Sequence, residues 1–325
     1  MKSAESVLRF VFAASLLVAA APAGCRGGSD VLCPASPTPE QPTDDATAPG
    51  SATAPAEVLV GAGDIAQCGV GDSEASAALL DRVPGTVFTL GDNVQGRGAA
   101  EEYERCFEPT WGRHRWRMFP TIGNHDFDGT GGAPYFAYFG DRAGLPGLGY
   151  YSYALGAWHV VSLNSEIEAG IGSPQYEWLK ADLAATDGAC TLAMWHRPLF
   201  SSGPSGGSRR MRDAWRLLQR HGADVALSGH DHDYERFAPQ DADGRASPGG
   251  LRAFVVGTGG FTLYPRTTVA ANSEVWNSHT RGVLKLTLRS DGYDWEFIPV
   301  DGQHFRDSGS GACAARFIPA QHQGD

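Results

Sequence analysis

Carboxylate, amide and imidazole side chains recur along this chain directly after short apolar segments. Glycine precedes four of them, and glycine lets the backbone turn sharply and present the next side chain. Such side chains are the usual protein ligands of borderline-to-hard divalent or trivalent metal ions. A single Gly-Asp dipeptide is a weak signal because it commonly marks a turn, but the repeated pattern predicts a metal site. The candidate residues are Asp64, Asp92, Asn93, Asn124, His125, Asp126, His196, His230 and His232.

The apolar segments that precede these residues are predicted strands, and helical patterns lie between them. Strand–helix alternation favours an α/β fold, in which ligands gather at the strand ends. Later strands follow one another in hairpin-like succession, which indicates two mixed sheets and not one parallel sheet. His230 and His232, if they lie in a strand, point to the same face. Strands are predicted over 58–60, 87–90, 150–155, 157–164, 191–195, 225–227, 251–256, 283–288 and 293–299, and helices over 73–80, 174–185 and 209–221.

The order of these motifs resembles that of the calcineurin-like metallophosphoesterases, and the stretch 229–236 resembles especially the purple acid phosphatase branch. The resemblance covers about residues 57–313. It implies an α/β four-layer sandwich of two mixed β-sheets flanked by helices, with two metal ions at the strand ends. The motifs are Gly63-Asp64, Gly91-Asp92-Asn93, Gly123-Asn124-His125-Asp126, His196 and Gly229-His230-Asp231-His232.

The resemblance also implies a role for each metal-binding residue. Two metal ions about 3.5–4 Å apart can hold a phosphate group and activate a water or hydroxide for in-line attack on phosphorus. Iron, manganese and zinc combinations are all compatible with the ligand types. By resemblance, Asp64 and His232 bind the first metal, Asp92 bridges both, and Asn124, His196 and His230 complete the second.

Two further residues lie beside these expected ligands. His125 is not a family ligand and is the candidate general acid that protonates the leaving alcohol. The alternative for His125 is a hydrogen bond to the phosphate group. Asp126 is expected to orient its loop and not to bind metal.

The chain departs from the purple branch at one ligand position. There a tyrosine follows the bridging aspartate by three residues, whereas this chain has Gln95. The wider superfamily can use a histidine two residues after the first aspartate, but that position is Ala66. The first metal is therefore expected to be bound by Asp64, Asp92 and His232, with the amide oxygen of Gln95 or a water molecule completing its coordination.

Residues 1–24 resemble an export signal, with Lys2 and Arg9 before an apolar stretch over 10–21. Cleavage before Gly24 and lipidation of Cys25 are alternative expectations, and lipidation would tether the protein to a membrane. Residues 25–56, rich in Pro, Thr and Ala, are expected to form an extended tether. The catalytic domain is predicted over 57–318 and a short tail over 319–325.

Six cysteines in an exported chain indicate an oxidising compartment. The four cysteines within the predicted domain allow three pairings. Cys68 with Cys106 is the preferred pair because both flank motif loops, and Cys190 with Cys313 is the second. Buried free thiols are the alternative.

Composition narrows the function further. The 325 residues carry a formal net charge of −11, which argues against a nucleic-acid partner. No apolar run reaches the roughly 20 residues that span a bilayer, so a polytopic membrane protein is excluded. We expect an exported phosphoric ester hydrolase that acts on small phosphate monoesters and is periplasmic, secreted or a cell-surface lipoprotein. A phosphodiesterase or nucleotidase, and a catalytically silent binding domain, are the alternatives.

Overall fold

Two mixed β-sheets form the centre of the described chain, and helices cover their outer faces. The computed structural model describes residues 55–186 and 190–314. The predicted signal segment, the tail and nearly all of the predicted tether lie outside the described residues. So do Cys25 and Cys33 and the predicted domain boundary at residue 318.

The first sheet has six strands in the order β13-β12-β11-β1-β2-β3. Strands β1, β2 and β3 are parallel, and β11 joins the free side of β1 in antiparallel register. The strands are β1 (Glu57–Ala62), β2 (Thr86–Thr89), β3 (Met118–Phe119), β11 (Gly282–Leu288), β12 (Gly292–Pro299) and β13 (Ser308–Ala312).

The second sheet has seven strands in the order β10-β8-β9-β7-β6-β5-β4. Its four central strands, β5, β6, β7 and β9, are parallel, and antiparallel strands flank them. The strands are β4 (Tyr151–Leu155), β5 (Trp158–Ser162), β6 (Cys190–Met194), β7 (Val225–Ser228), β8 (Tyr234–Phe237), β9 (Arg252–Val256) and β10 (Ser273–Asn277).

Helices connect and cover the sheets. Ser173 caps α5 by accepting a hydrogen bond from the Tyr176 amide, and proline occupies the first turn of that helix, where its missing N–H costs nothing. The α-helices are α1 (Ser73–Arg82), α2 (Ala100–Glu102), α3 (Asn124–Phe127), α4 (Ala133–Phe139), α5 (Pro174–Ala185) and α6 (Arg212–Arg220). A π-helical turn (Tyr103–Phe107) extends α2, and 3-10 turns cover Trp111–Arg117, Gly140–Ala143 and Arg209–Met211.

Alternating side chains of the second sheet build two separate cores. On β5, Val160 belongs to the core shared with the first sheet, whereas Val161 packs with Leu179 of α5 and Trp215 of α6. Successive side chains of a strand point to opposite faces, and both faces of this sheet are buried. Each of its parallel strands must therefore be apolar throughout. The result is the expected layering of helix, sheet, sheet and helix, which confirms the predicted fold class.

Both predicted disulfides are present, Cys68–Cys106 and Cys190–Cys313, with Cα–Cα distances of 5.0 and 5.4 Å. The predicted strands and long helices are also confirmed, with shifts of at most three residues at their ends. The structure adds four strands that the sequence patterns did not indicate, β3, β8, β10 and β13. His230 and His232 lie in the turn between β7 and β8, so the same-face argument for strand residues does not apply to them.

No helix within the part of the chain that the structure describes is both long enough and apolar enough to cross a bilayer.

Candidate metal centre

The carboxyl ends of the parallel strands in both sheets bring the predicted residues together. Asp64 follows β1, and Asp92 follows β2 in the first sheet. His196 follows β6, and His230 follows β7 in the second sheet. The site therefore spans both sheets, although its members are up to 168 positions apart in sequence.

His196 is the centre of one group of potential ligands. Its Nδ1 donates to the Leu90 carbonyl at 2.7 Å, so the Nε2 of a neutral ring carries a lone pair. That Nε2 lies 3.0 Å from Asn124 Oδ1, 3.3 Å from Asp92 Oδ2 and 3.2 Å from His230 Nδ1. Three further atoms with lone pairs thus face the same point, and a cation there would satisfy all four.

Asp64 is the centre of the second group. The Nε2 atom of His232 lies 3.2 Å from Asp64 Oδ1, and the other ring nitrogen of His232 donates to the Thr262 carbonyl at 2.8 Å. Gln95 is also here, with Nε2 3.3 Å from Asp64 Oδ1. The buried Oε1 atom of Gln95 accepts no hydrogen bond from any described residue. Gln95 thus combines a contact to a buried carboxylate with an orphaned amide oxygen, and such an oxygen is suited to a cation.

The backbone is strained at three of the proposed ligands. Asp64, Asp92 and His230 have φ angles of 60°, 48° and 71°, and Asn272 is the one other described non-glycine residue with positive φ. Each such residue costs on the order of 1–3 kcal/mol and persists where its surroundings determine it. This concentration at one site indicates a functional requirement and not a general irregularity of the chain.

Gly91 is needed where the two sheets approach each other. Its φ is +81°, and a Cβ atom there would lie 2.5 Å from Nδ1 of His196. Any larger residue would therefore displace the imidazole from the Leu90 carbonyl that orients it. The glycine before Asp92 in the motif serves this close approach.

Burial and neighbouring charges shift the pKa values of the two central groups in opposite directions. Burial disfavours the charge on both, but the His196 imidazole lowers the pKa of Asp92 to about 2. Burial alone would lower the pKa of His196, but the attraction of the Asp92 carboxylate is larger and raises the pKa of His196 to about 10. Burial, followed by the positive neighbours His196 and Arg197, lowers the pKa of His230 to about 3. The site thus favours a buried carboxylate facing a positive charge.

His125 and Asp126 occupy different environments. The His125 side chain is 40% exposed, its Nδ1 donates to the Gly96 carbonyl at 2.9 Å, and its Nε2 lies 3.9 Å from Asp92 Oδ2. Asp126 is fully buried and accepts hydrogen bonds from the amides of Asn93 and Gly123 and from the Tyr103 hydroxyl. Asp126 therefore orients the loops around the centre, as expected, whereas His125 opens to the cleft.

Several residues at the site escaped the sequence reasoning. Arg197 contacts Nε2 of His230 at 3.0 Å and pairs with Glu166 at 2.9 Å. Glu166 follows the polar end of β5, which is the same signal that marked the other candidates. Tyr264 stacks on the His232 ring at 4.1 Å between centroids. No local pattern marks Tyr264, because it reaches the site through a loop after β9.

Other polar groups close to the site have structural partners. Arg236 pairs with Asp307 and Glu274. The glycine- and serine-rich loop after His196 is held to the β7–β8 turn, where Ser201 and the Ser205 amide bind Asp231.

The donor set fits the dinuclear centre that the resemblance implies. One group offers an amide oxygen, a carboxylate and two imidazoles, and the other offers a carboxylate, an imidazole and an orphaned amide oxygen. Ligand atoms of Asp92, His196 and His230 lie within 4.8 Å of one another. The second trio of close metal-ligating side chains among the described residues contains the bridged Cys190 and Cys313, so its thiols are not free to bind metal.

The family model for the calcineurin-like phosphoesterases matches residues 58–234, which is more than half of the chain. The chain belongs to this family. Its matched region contains every residue of both ligand groups. The families to which it is similar use two metal ions.

The curated relatives place the chain near the purple acid phosphatases. Purple acid phosphatase 15 of Arabidopsis thaliana is 35% identical over 131 residues, covering 38% of this chain and 24% of the relative. Purple acid phosphatase 18 of the same plant is 30% identical over 180 residues, covering 53% and 39%. A third relative, probable inactive purple acid phosphatase 9, is 28% identical over 246 residues, covering 61% and 37%. The chain thus spans less than two-fifths of the length of each.

A solved purple acid phosphatase from yellow lupin (Lupinus luteus) seeds has the same fold. It superposes with a TM-score of 0.68 at 22% identity, covering 78% of this chain and 53% of that chain. A Plasmodium protein described as the anchor in the inner membrane complex superposes with a TM-score of 0.62 at 16% identity, covering 81% and 90%. These likenesses establish the fold of the chain.

Proposed function

We propose that this protein is a metal-dependent phosphoric ester hydrolase that acts on phosphate monoesters. The observation that carries the proposal is the arrangement around His196 Nε2, where the amide, carboxylate and imidazole ligand atoms converge within 3.3 Å. Family membership and the similarity to purple acid phosphatases support it.

In this proposal Asp64, His232 and the amide oxygen of Gln95 hold one metal ion, and Asn124, His196 and His230 hold the other. Asp92 would bridge the two: one of its oxygens lies 3.3 Å from His196 Nε2, and the other, which accepts the His125 amide at 2.8 Å, keeps a lone pair for the second ion. Two metal ions in such a site supply Lewis-acid charge and an activated water for attack on phosphorus.

His125 is the proposed general acid. The Gly96 carbonyl fixes its Nδ1, which leaves Nε2 directed toward Asp92 and the exposed side of the centre. In the imidazolium form of His125, Nε2 carries a second proton, which would lie where a leaving alcohol departs. The alternative of a hydrogen bond to phosphate uses the same atom, and the leaving-group dependence described below separates the two roles.

The surroundings of the domain are part of the proposal. We propose that residues 1–24 direct export, that 25–56 form a tether and that Cys25 is lipidated or lies just behind the cleavage site. Two disulfides support an oxidising compartment. Mass spectrometry of the protein recovered from the exporting cell would show cleavage before Gly24, or a diacylglyceryl group on Cys25, and would reject both if the chain still began at Met1.

A catalytically silent binding role is the competing function. One relative is called probably inactive, and the Plasmodium structure is described as an anchor. Gln95 in place of a tyrosine is the feature of this chain that favours such a role.

Paired assays separate these functions. Metal analysis of the purified full chain comes first, followed by hydrolysis of a phosphate monoester and of a diester with the same leaving group. We expect about two metal ions per chain and a higher kcat/KM for the monoester. Preference for the diester would replace the proposal by a phosphodiesterase, and metal-loaded protein without turnover on either substrate would favour the silent role.

A further inference from the structure

Arg197 connects the metal centre to a buried acid. Its Nε donates to both carboxylate oxygens of Glu166, at 3.0 and 2.9 Å, and its Nη1 lies 3.0 Å from Nε2 of His230. The Arg197 side chain is 27% exposed, whereas that of Glu166 is 5% exposed. A buried carboxylate thus holds one side of the guanidinium, and the other side contacts His230, a proposed ligand of the centre.

Glu166 is itself fixed by the end of strand β5. Asn164 Oδ1 accepts the Glu166 amide at 2.8 Å, and the Ser165 hydroxyl donates to Glu166 Oε1 at 2.9 Å. The same hydroxyl accepts the backbone amide of Arg197 at 3.0 Å. These contacts hold the Glu166 carboxylate in one orientation. The carboxylate in turn fixes the orientation of the Arg197 guanidinium.

The guanidinium retains donors for a further acceptor. The Nη2 of Arg197 makes no hydrogen bond to any residue in the described ranges. The Nη1 donor faces His230 Nε2, while His230 Nδ1 faces the centre. The remaining N–H groups of the guanidinium are therefore available to an anionic oxygen bound near His230.

We propose that Arg197 binds a non-bridging phosphoryl oxygen of the substrate and makes the site favour dianionic monoesters over monoanionic diesters. This inference rests on the proposed function and names the residue that sets its substrate class. Arg–phosphate pairs are charge-assisted and often bidentate, so the interaction strengthens with the charge and the number of terminal oxygens. Glu166 acts as a positioning residue.

The test measures binding of inorganic phosphate to the metal-loaded full chain by calorimetry, apart from turnover. We expect Arg197→Gln to weaken phosphate binding by roughly 10- to 100-fold without changing metal content, and Arg197→Lys to restore part of the loss. Arg209→Gln is the matched control, because Arg209 is exposed and its side chain makes no hydrogen bond or ion pair with the described residues. It removes the same charge and should leave binding within about twofold.

Kinetics on the two ester classes provide the second readout. Arg197→Gln should lower kcat/KM by about 100-fold for a monoester and by less than about tenfold for a diester with the same leaving group. Glu166→Gln should raise KM for the monoester more than it lowers kcat. It should add little in the Arg197→Gln background, because both changes act on one interaction.

Three outcomes overturn the assignment of Arg197: unchanged phosphate binding in Arg197→Gln, an equal loss in Arg209→Gln, or equal losses for both esters. A metal-loaded wild type that binds phosphate but hydrolyses neither ester overturns the proposed function, while the binding comparison still tests Arg197. A wild type that loads metal but does not bind phosphate overturns both.

Discussion

At the scale of single residues, the site is defined by atoms that need a positive charge between them. Both carboxylate oxygens of Asp92 are engaged: one approaches His196 Nε2, and the other accepts the His125 amide. Its φ of 48° shows that the backbone is held in a costly conformation to place that carboxylate. The consequences of changing Asp92, His125 or Gln95 should therefore be specific and separable.

Asp92→Ala should lower kcat about a thousandfold or more, since one carboxylate is proposed to hold both metals. Metal analysis should show less than full loading of both sites. Asp128→Ala, which removes an exposed carboxylate directly after α3, is the control and should remain active. Turnover near the wild-type value in Asp92→Ala would end the two-metal proposal.

His125→Ala should lower the rate while metal content stays unchanged. The loss should be smaller for leaving groups of low pKa, because they depart without a proton. Rates for a series of aryl phosphates, compared with an alkyl phosphate, measure this dependence. An equal loss across the series would make His125 a phosphate-binding residue, and loss of metal would make it a ligand.

Gln95 should leave the protein colourless even when iron is bound. The colour of the purple branch comes from charge transfer between a tyrosinate and ferric iron, and the Gln95 amide offers no phenolate. A neutral amide oxygen also favours divalent ions, so the first metal should exchange readily and added manganese or zinc should raise activity. Gln95→Tyr should tighten the site and produce a visible band with iron.

A coloured wild type with iron that does not exchange would contradict this expectation and require another tyrosine. Tyr151 donates to the Pro120 carbonyl and Tyr150 packs on Trp178, so neither is free to serve. Tyr264, stacked on His232, would then be the candidate. Loss of the band in Tyr264→Phe would identify it.

At the scale of elements, the Cys68–Cys106 bridge joins the segment after Asp64 to the π-helical turn Tyr103–Phe107. That turn carries Tyr103, whose hydroxyl donates to Asp126 at 2.6 Å, and Asp126 in turn holds the Asn93 and Gly123 amides. The bridge therefore restrains the loops on both sides of Asp92, although neither cysteine contacts a proposed ligand.

Replacing both Cys68 and Cys106 by serine should lower the free energy of unfolding by roughly 3–4 kcal/mol, because the bridge closes a loop with a sequence separation of 38. Chemical denaturation of the oxidised proteins measures the difference. Cys33→Ser, which removes a cysteine that belongs to neither bridge, is the control. Equal stability of the double variant and the control would show that the bridge does not stabilise the fold.

At the scale of the whole molecule, the proposed metals should stabilise the two sheets against separation. The proposed ligands come from both sheets. Without a cation between them, the facing lone pairs repel one another, and the strained backbone at the ligands adds to the free energy of the folded state. Binding at 100 times the dissociation constant stabilises the folded state by about 2.7 kcal/mol.

Removing metal with a chelator should therefore lower the Tm by about 5–10 °C, given the usual relation between stability and Tm for domains of this size. Differential scanning calorimetry before chelation, after chelation and after reloading measures the change. An identical Tm in all three states would contradict metal binding at the sheet junction.

The candidate residues could be proposed from the sequence because most of them follow a predicted apolar strand, and because the order of Asp64, Asp92, Asn124, His196 and His230 resembles that of the family. The structure brings these residues together, and their roles as metal ligands remain a proposal. The parallel strands were equally visible, since a strand buried on both faces must be apolar throughout. The short or peripheral strands β3, β8, β10 and β13 were missed because they lack such runs.

The sequence alone determined the fold class, the motif residues, the departure at Gln95 and the preferred cysteine pairs, since each depends on residue type and order. Only the tertiary structure decided which atoms face one another. The pairing of Arg197 with Glu166, the stacking of Tyr264 on His232 and the orphaned oxygen of Gln95 arise between segments that are distant in sequence. The physical reason is that side-chain contacts across two packed sheets depend on how those sheets approach, and no local pattern encodes that approach.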